Sequence, residues 1–509
     1  MKAPEKVFYN TCALYVKMFI QIIIGLYLTR VVLNSLGVED YGIYNLIGGV
    51  IALLSFLQTA LNVSSQRFLS VAKGKGDEDG VRTIFMSSLA IHIVLSITVI
   101  VLLEIGALFL FDGFLNIPEN RISSAKIVYQ IMAISTFISI YQVPYSAAIT
   151  ANEDLWFFAM VETVSSLAKL YIIVLFANSD NDPLIVYSLW MLFIIVLAFL
   201  PKFIWCKIKY SETRGRFFQN CSKSKIHEMI GFTGWNSFGT LALVGRNQGV
   251  AILLNIFWGA SINAVYGIAN QVNGQLINFS QIMTTSITPQ IMKSEGEGNR
   301  NRMLSLSMFA SKMAFFMSAF FAIPLIVELN FVLNVWLKNV PEYTELYCVL
   351  ILIMFLVMQL YPGLTRAIQA TGKIRNYQVI TSLLLLLPIP VGYLMYKAGM
   401  HNSTVLYLMV VSQVCQMIYA IHYAKVNIGL SVSIYYGFIT KAIICFITIL
   451  LLGIIVRRSL ESTMNSYILF FIIVLATTLL FSCAYYSFVF SKYERNMLKD
   501  LFFTILRRK

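Results

Sequence analysis

The sequence predicts an all-α polytopic membrane protein, with about 14 transmembrane helices in two six-helix lobes plus two C-terminal helices. Three observations lead to this fold class. The 509 residues are 58% hydrophobic and only 12% charged, and the mean hydropathy is +0.75. Apolar runs of roughly 20 residues, long enough to cross about 30 Å of hydrocarbon, recur from end to end. Positions 36–81 also return about 222 residues later as positions 258–303. So much apolar surface needs the bilayer as its solvent.

The apolar runs place the predicted spans in chain order. Each run is bounded by charged residues or by turn-forming Gly, Pro and Asn. The fourteen predicted spans are 8–33, 41–71, 83–111, 124–150, 155–177, 184–205, 227–256, 261–291, 304–330, 343–370, 374–397, 402–424, 431–456 and 464–490. The first run follows Met1 closely and has no small-x-small cleavage site after it, so we expect a retained helix and not a signal peptide.

The internal repeat sets the predicted domain organisation. Gly37 returns as Gly259 and Tyr44 as Tyr266 without a gap, and Ala151-Asn152-Glu153 resembles Ala370-Thr371-Gly372. An even number of spans in each half predicts parallel repeats, an arrangement typical of transporters. The predicted parts are a six-helix lobe (1–206), a basic cytoplasmic linker (207–225), a second six-helix lobe (226–425), two additional helices (426–490) and a basic cytoplasmic tail (491–509).

The net charge of +14 is explained by topology. Most Lys and Arg residues fall in loops on one side of the predicted spans, which by the positive-inside rule places both termini in the cytoplasm. This distribution argues against a nucleic-acid partner. The seven cysteines lie in spans or on the cytoplasmic side and have no paired spacing, so we expect no disulfide framework and no metal site.

A stripe of small and polar residues is written twice along the repeat. It follows helical spacing through the second span and through its copy in the eighth. Its members are Asn45, Gly49, Ala52, Ser55, Thr59, Asn62 and Gln66, and then Gly267, Gln271, Gly274, Ile277, Gln281, Thr284 and Thr288. Such a stripe serves either helix packing or the lining of a cavity. Its length and duplication favour the cavity, with Asn62, Gln66, Gln271 and Gln281 as substrate-binding candidates.

Ionisable residues within the spans are the sharper signal, because a charge at mid-bilayer costs about 2.5–3.5 kcal/mol on the insertion scale. Cations exceed acids, and this balance suits an anionic ligand. Arg246, deep in the seventh span, is the strongest candidate. The alternative explanation for such a cation is that its long side chain extends to the nearer membrane interface. The other substrate-binding candidates are Lys17, Arg67, Arg30 and Lys169. Lys169 could instead pair with Glu162, and Glu162 and Glu104 are candidates for coupling to a proton or sodium ion.

The segment Leu36 to Tyr44, read as LGVEDYGIY, resembles the corresponding segment of bacterial polysaccharide and O-antigen flippases of the multidrug, oligosaccharidyl-lipid and polysaccharide exporter (MATE-like) superfamily. The 6 + 6 + 2 helix pattern extends the resemblance along the chain. It implies two lobes around a central cavity that moves an undecaprenyl-diphosphate-type oligosaccharide to the outer leaflet of the bacterial inner membrane, for O-antigen and lipopolysaccharide assembly. Membrane lipids and polysaccharide assembly proteins are the other implied partners. No cofactor and no catalytic residue follow, since no bond is broken.

Two other functions fit parts of the sequence. A multidrug or organic-cation antiporter of the same fold would favour acids over cations inside the membrane, and this chain has the reverse balance. A membrane polysaccharide polymerase or ligase would carry a sizeable outer loop, whereas the predicted outer loops are short. Glu39-Asp40 could serve as the acidic pair of a membrane glycosyltransferase, but no outer domain accompanies it.

Overall fold

The computed structural model describes residues 3–52, 55–111, 117–176, 182–215, 220–337, 339–462, 464–497 and 499. Every regular element in these ranges is helical, as predicted. The helices are α1 (Ala3–Ala52), α2 (Ser55–Gly74), α3 (Glu78–Phe109), α4 (Ile122–Tyr141), α5 (Val143–Ala151), α6 (Leu155–Phe176), α7 (Pro183–Lys209), α8 (Lys223–Gly296), α9 (Arg300–Val327), α10 (Leu329–Leu337), α11 (Thr344–Met358), α12 (Pro362–Thr371), α13 (Arg375–Leu386), α14 (Pro388–Lys397), α15 (Thr404–Ile428), α16 (Val432–Leu460) and α17 (Ser466–Phe488). Short 3-10 turns occupy Glu119–Arg121 and Ser211–Arg214.

The helices match the predicted spans in position but join some of them. Among the described residues, ten helices are long and apolar enough to cross a membrane, or eleven if α11 and α12, bent by 44°, form one span. The predicted number is higher partly because α8 contains both the seventh and the eighth predicted spans, and α1 contains the first and the start of the second. The fifth predicted span, which corresponds to α6, is also not among these ten helices. The all-α membrane fold predicted from composition is confirmed.

The same glycine kink joins the spans within α1 and within α8. Gly37 has φ 77° and ψ 172°, and Gly259 has φ 75° and ψ −176°. This region of backbone space is essentially restricted to glycine. The repeat aligns these two glycines, and it also aligns Gly76 with Gly298, which have φ 69° and φ 73°. The two sequence copies therefore share their backbone geometry at both ends.

Substitution of Gly259 is expected to lower the free energy of unfolding. Gly259→Ala is expected to destabilise the protein by about 1–3 kcal/mol, because alanine must adopt a strained conformation there. The matched control is Gly267→Ala in the same helix, where no atom lies within 4 Å of the added methyl group and φ is ordinary. That control should stabilise by about 0.5–1 kcal/mol. Thermal unfolding in detergent measures both changes, and equal effects would contradict the assignment of strain to Gly259.

The chain forms two compact units. Unit 1 comprises Met1–Ser237 with Gly296–Gly298, and unit 2 comprises Phe238–Glu295 with Asn299–Lys509. The boundary falls inside α8. One core of unit 1 gathers Ile47, Val128 and Tyr129, and the core of unit 2 includes Val250 and Tyr347. The basic segment 207–225 precedes this boundary. It is only partly a loop, because α7 runs to Lys209 and α8 begins at Lys223.

The two additional helices pack against α9 inside unit 2. Lys312 Nζ of α9 lies 2.7 Å from Glu494 Oε2, just after α17, and both side chains are nearly buried. Glu328, at the other end of α9, pairs with Arg457 of α16 at 3.3 Å. Between these pairs, the ring of Phe316 packs on the aromatic residues of α17. Two charges that the sequence places inside spans are therefore explained by attachment of the last hairpin.

Candidate functional site

Unit 1 holds a buried charge cluster where α1, α6 and α7 meet. Lys202 Nζ of α7 is 2.5 Å from Glu162 Oε1 of α6, and the Lys202 residue is only 2% exposed. Lys17 of α1 lies over the ring of Phe158 at 4.8 Å, and Lys202 lies over the same ring at 4.7 Å. Lys17 also interacts electrostatically with Glu162. Two ammonium groups thus lie near one carboxylate and one aromatic ring. The cluster therefore has excess positive charge.

This cluster corrects one expectation from the sequence. Glu162 pairs with Lys202 and not with Lys169, for which the described part of the chain contains no ion pair; Lys169 is half-buried on α6. Lys202 lies near the end of the predicted span 184–205 and inside α7, which continues through Pro201 to Lys209. The sequence could not reveal this partner because forty positions separate Lys202 from Glu162, and only the packing of α6 against α7 brings them together.

Polar contacts extend the cluster along the seam between α1 and α6. Gln21 Nε2 donates to Ser166 Oγ at 3.3 Å. Toward the start of α1, Asn10 Nδ2 donates to the Glu153 carbonyl at 2.7 Å, and Asn10 Oδ1 accepts from the Trp156 amide at 3.0 Å. Lys17 therefore lies on α1 between two polar contacts to α6 and its start, those of Asn10 and Gln21.

The remaining unit 1 candidates lie apart from this seam. Arg67 is buried, with its guanidinium over the rings of Phe68 at 4.4 Å and Phe232 at 5.1 Å. It is packed in protein and does not snorkel. Gln66 is half-buried. Glu104 is exposed and accepts from Gln130 Nε2 at 3.0 Å. The side chain of Arg30 lies outside the described part of the structure.

The acid Asp40, considered above with Glu39 as a catalytic pair, is held by Arg121. Arg121 Nε donates to Asp40 Oδ1 at 2.8 Å, and Nη1 lies 3.1 Å from Asp182 Oδ2. Burial alone would raise the pKa of Asp182. Hydrogen bonds from Ser124 and from the Leu184 amide, together with the Arg121 charge, lower it by more, so this pKa lies below its usual value. The arginine joins both carboxylates in a structural cluster, which argues against the glycosyltransferase alternative.

Unit 2 contains the most informative candidate, Arg246 on α8. The residue is 6% exposed. Its Nε and Nη2 donate to the same oxygen, Oδ1 of Asn247, at 3.1 Å and 2.9 Å, and Nη1 contacts Met354 Sδ at 3.7 Å. All of these partners are neutral, and no carboxylate lies within ion-pair distance of Arg246 among the described residues. An amide oxygen stands where a buried guanidinium usually has a carboxylate.

Two tyrosine hydroxyls complete the surroundings of Arg246. Tyr266 and Tyr361 both interact electrostatically with its guanidinium. Tyr361 Oη is oriented by Gln413, whose Nε2 donates to it at 2.5 Å. The Tyr266 hydroxyl is buried and makes no well-formed hydrogen bond within the described residues. The site therefore presents a forked cation with hydroxyl groups, a combination suited to phosphate oxygens. Tyr266 is the repeat equivalent of Tyr44, the signal by which the sequence could have identified it.

Three of the four amide candidates on the duplicated stripe have exposed side chains. These are Asn62 of α2 and Gln271 and Gln281 of α8, whereas the stripe members Thr284 and Thr288 are buried toward the end of α8. Polar groups rarely face hydrocarbon, since they find no hydrogen-bond partner there. Exposure of these amides within spans therefore fits a water-accessible surface better than helix packing. In the part of the chain that the structure describes, no group of His, Cys, Asp and Glu side chains has metal-binding geometry.

Comparison with known proteins identifies the fold. No protein-family model matches the sequence. The uncharacterized membrane protein EpsK of Bacillus subtilis (strain 168) is 23% identical over 159 residues, which is 31% of each chain. Among solved structures, the chain is similar to a MATE transporter in complex with MaD3S, with a TM-score of 0.73 at 14% identity. It is also similar to an outward-facing multidrug resistance MATE transporter, with a TM-score of 0.72 at 14% identity.

A third solved structure is a MOP superfamily transporter from Pyrococcus furiosus, for which a binding pocket of reverse polarity suggests a different function. Its TM-score is 0.70 at 15% identity. All three matches cover 84% of this chain and 96% of the matched chain. The chain therefore has the polytopic helical fold seen in these MATE transporter structures.

Proposed function

We propose that this protein is a flippase that moves a polyprenyl-diphosphate-linked oligosaccharide from the inner to the outer leaflet of the cytoplasmic membrane by alternating access. One observation carries the proposal: Arg246 is a buried guanidinium whose partners are all neutral. Leaving a charge without a counter-ion costs several kcal/mol. Intramembrane charges that bear such a cost usually mark a substrate pathway.

A diphosphate supplies what Arg246 lacks. The guanidinium can donate two parallel hydrogen bonds to phosphate oxygens, and the hydroxyls of Tyr266 and Tyr361 can add two more. Because the residue is only 6% exposed, a ligand can reach it only after a conformational change, as alternating access provides. Within unit 1, Lys17 is a separate proposed anion-binding residue. The exposed amides of Asn62, Gln271 and Gln281 suit sugar hydroxyls.

Drug export is the second candidate, because the fold supports it equally well. One solved structure with this fold is a multidrug resistance MATE family transporter. An organic cation needs a buried acid free to receive it. In the described part of the chain, Glu162, Glu328 and Glu494 are instead engaged by Lys202, Arg457 and Lys312. This charge arrangement favours an anionic substrate.

The remaining parts of the proposal follow from the substrate. Such a flippase would work in the bacterial inner membrane with both termini in the cytoplasm, alongside polysaccharide assembly proteins. Proton or sodium coupling through Glu162 or Glu104 belongs to the proposal. At Glu162 the coupling ion would have to displace Lys202 from the carboxylate, whereas Glu104 is exposed and has a neutral partner.

Reconstitution separates the two candidates. The purified protein is placed in liposomes with a polyprenyl-diphosphate oligosaccharide, and a leaflet-specific lectin follows its headgroup. Protein-dependent appearance of the headgroup in the opposite leaflet is expected. Parallel vesicles receive a fluorescent organic cation. Uptake of that cation without movement of the headgroup would overturn the flippase and assign drug export.

A further inference from the structure

An apolar groove lies on unit 2, between α8 and α14. We call it the α8–α14 groove. It encloses about 520 Å3 and is lined by Gly249, Ile252, Leu253, Ile256, Ile389, Pro390, Tyr393 and Leu394. Apart from the Tyr393 hydroxyl, every lining side chain is hydrocarbon. Two of the lining residues, Ile256 at 68% and Leu394 at 65%, are largely exposed. The groove is therefore open along its length to the surroundings of the helices, which in a membrane are lipid chains.

Two glycines set the shape of the groove. A Cβ atom at Gly249 would lie 2.5 Å from Ile389 Cδ1, and one at Gly392 would lie 3.1 Å from Leu253 Cδ2. The absence of side chains at these positions lets α8 and α14 approach closely, with Ile389 and Leu253 filling the space. The larger side chains of Ile252 and Ile256 on one helix and Tyr393 and Leu394 on the other form the walls. The result is an apolar groove between two closely packed helices.

The groove begins one turn from the proposed phosphate site. Gly249 follows Arg246 by three residues on α8, so the two positions are neighbours on the helix surface. A ligand with its anionic group on Arg246 could therefore extend an apolar chain along the same helix, past Gly249, Leu253 and Ile256. This charge pattern, a cation followed by an uncharged hydrocarbon channel, complements an amphiphile with an anionic headgroup and a long aliphatic chain.

We propose that the α8–α14 groove holds the first isoprene units of the polyprenyl chain while the diphosphate occupies Arg246. This inference rests on the proposed function. Moving a lipid chain from the bilayer into the groove gains little from the hydrophobic effect, since lipid tails are as apolar as leucine. Affinity must come from van der Waals fit. We therefore expect the groove to prefer a methyl-branched isoprenoid to a straight acyl chain and to orient the headgroup toward Arg246.

Photolabelling tests the groove directly. A polyprenyl diphosphate with a diazirine in its first isoprene units is added to the protein in nanodiscs, and labelled peptides are identified by mass spectrometry. We expect labels within 249–256 and 389–394. Unlabelled polyprenyl diphosphate should compete, whereas a straight-chain alkyl diphosphate should compete at least roughly fivefold less well, a difference of about 1 kcal/mol.

Groove-filling variants supply the control. Ile252→Trp and, independently, Leu394→Trp place an indole in the groove at exposed positions, where folding should tolerate it. Both should reduce labelling at least roughly fivefold, again about 1 kcal/mol. Leu451→Trp, at an exposed site on α16, should leave labelling unchanged. Equal competition by the straight-chain compound, or undiminished labelling in both variants, would overturn the proposal and leave ordinary membrane lipid in the groove. Flipping that depends on Arg246, together with no labelling of the groove, would refute binding of the polyprenyl chain in the groove but not the proposed flippase function.

Discussion

Replacement of Arg246 by glutamine is expected to lower headgroup translocation about a hundredfold, the loss of roughly 3 kcal/mol in charge-assisted hydrogen bonds. The reason is that Arg246 is a buried forked donor with only neutral partners. The same variant should be as stable as the parent protein or more so, because it removes a buried charge that lacks a counter-ion. A structural arginine would behave in the opposite way, with stability lost along with activity. Leaflet-specific flipping rates and thermal unfolding are measured on the same preparations.

Two further variants calibrate the Arg246 result. Arg246→Lys keeps the charge but loses the planar fork, so translocation should be intermediate. Lys441→Gln removes one positive charge from an exposed position on α16 and should leave the rate unchanged. Normal flipping by Arg246→Gln at normal expression would show that this arginine is no substrate contact.

Asn247→Asp is expected to move stability and transport in opposite directions. The new carboxylate would replace the amide oxygen that accepts from Arg246 Nε and Nη2, so it would give the guanidinium a permanent counter-ion. Stability should rise by about 1.5–3 kcal/mol, the size of a hydrogen bond to a charged group. Translocation should fall at least about tenfold, since a phosphate must then displace a covalently tethered acid, a penalty of about 1.4 kcal/mol or more.

An exposed asparagine outside the predicted spans provides a control for this charge. Asn301→Asp adds a carboxylate at an exposed position at the start of α9, where it should change neither property appreciably. Increased stability together with unimpaired transport in Asn247→Asp would contradict an anionic ligand at Arg246, since neutralising the cation would then carry no functional cost.

The features that the sequence predicted well are those repeated along it. The apolar runs gave the positions of the helices, and the spacing of the repeat paired Gly37 with Gly259, which share one unusual backbone conformation. It also aligned Glu153 with Gly372, whose φ values are 61° and 78°. Such local geometry is encoded locally, because only certain residues tolerate positive φ. A periodic pattern and a glycine therefore suffice to predict it.

Partners distant in sequence were not predictable. Lys312 is paired with Glu494, 182 positions away, and Glu328 with Arg457 of α16. A single sequence shows which charges must be buried but not which helices will pack together. Arg246 was identified by its depth in a span. Its decisive property, an amide in place of a carboxylate, required the structure, as did the nearby Tyr361, which is 115 positions further along the chain.

The measurement that bears most directly on the central claim is leaflet-specific translocation of a polyprenyl-diphosphate oligosaccharide in liposomes containing either the parent protein or Arg246→Gln. We expect rapid movement of the headgroup with the parent protein and about a hundredfold slower movement with the variant, from the loss of roughly 3 kcal/mol. Equal rates for the two proteins, or no translocation by either, would contradict a lipid-linked glycan flippase that binds its diphosphate through Arg246.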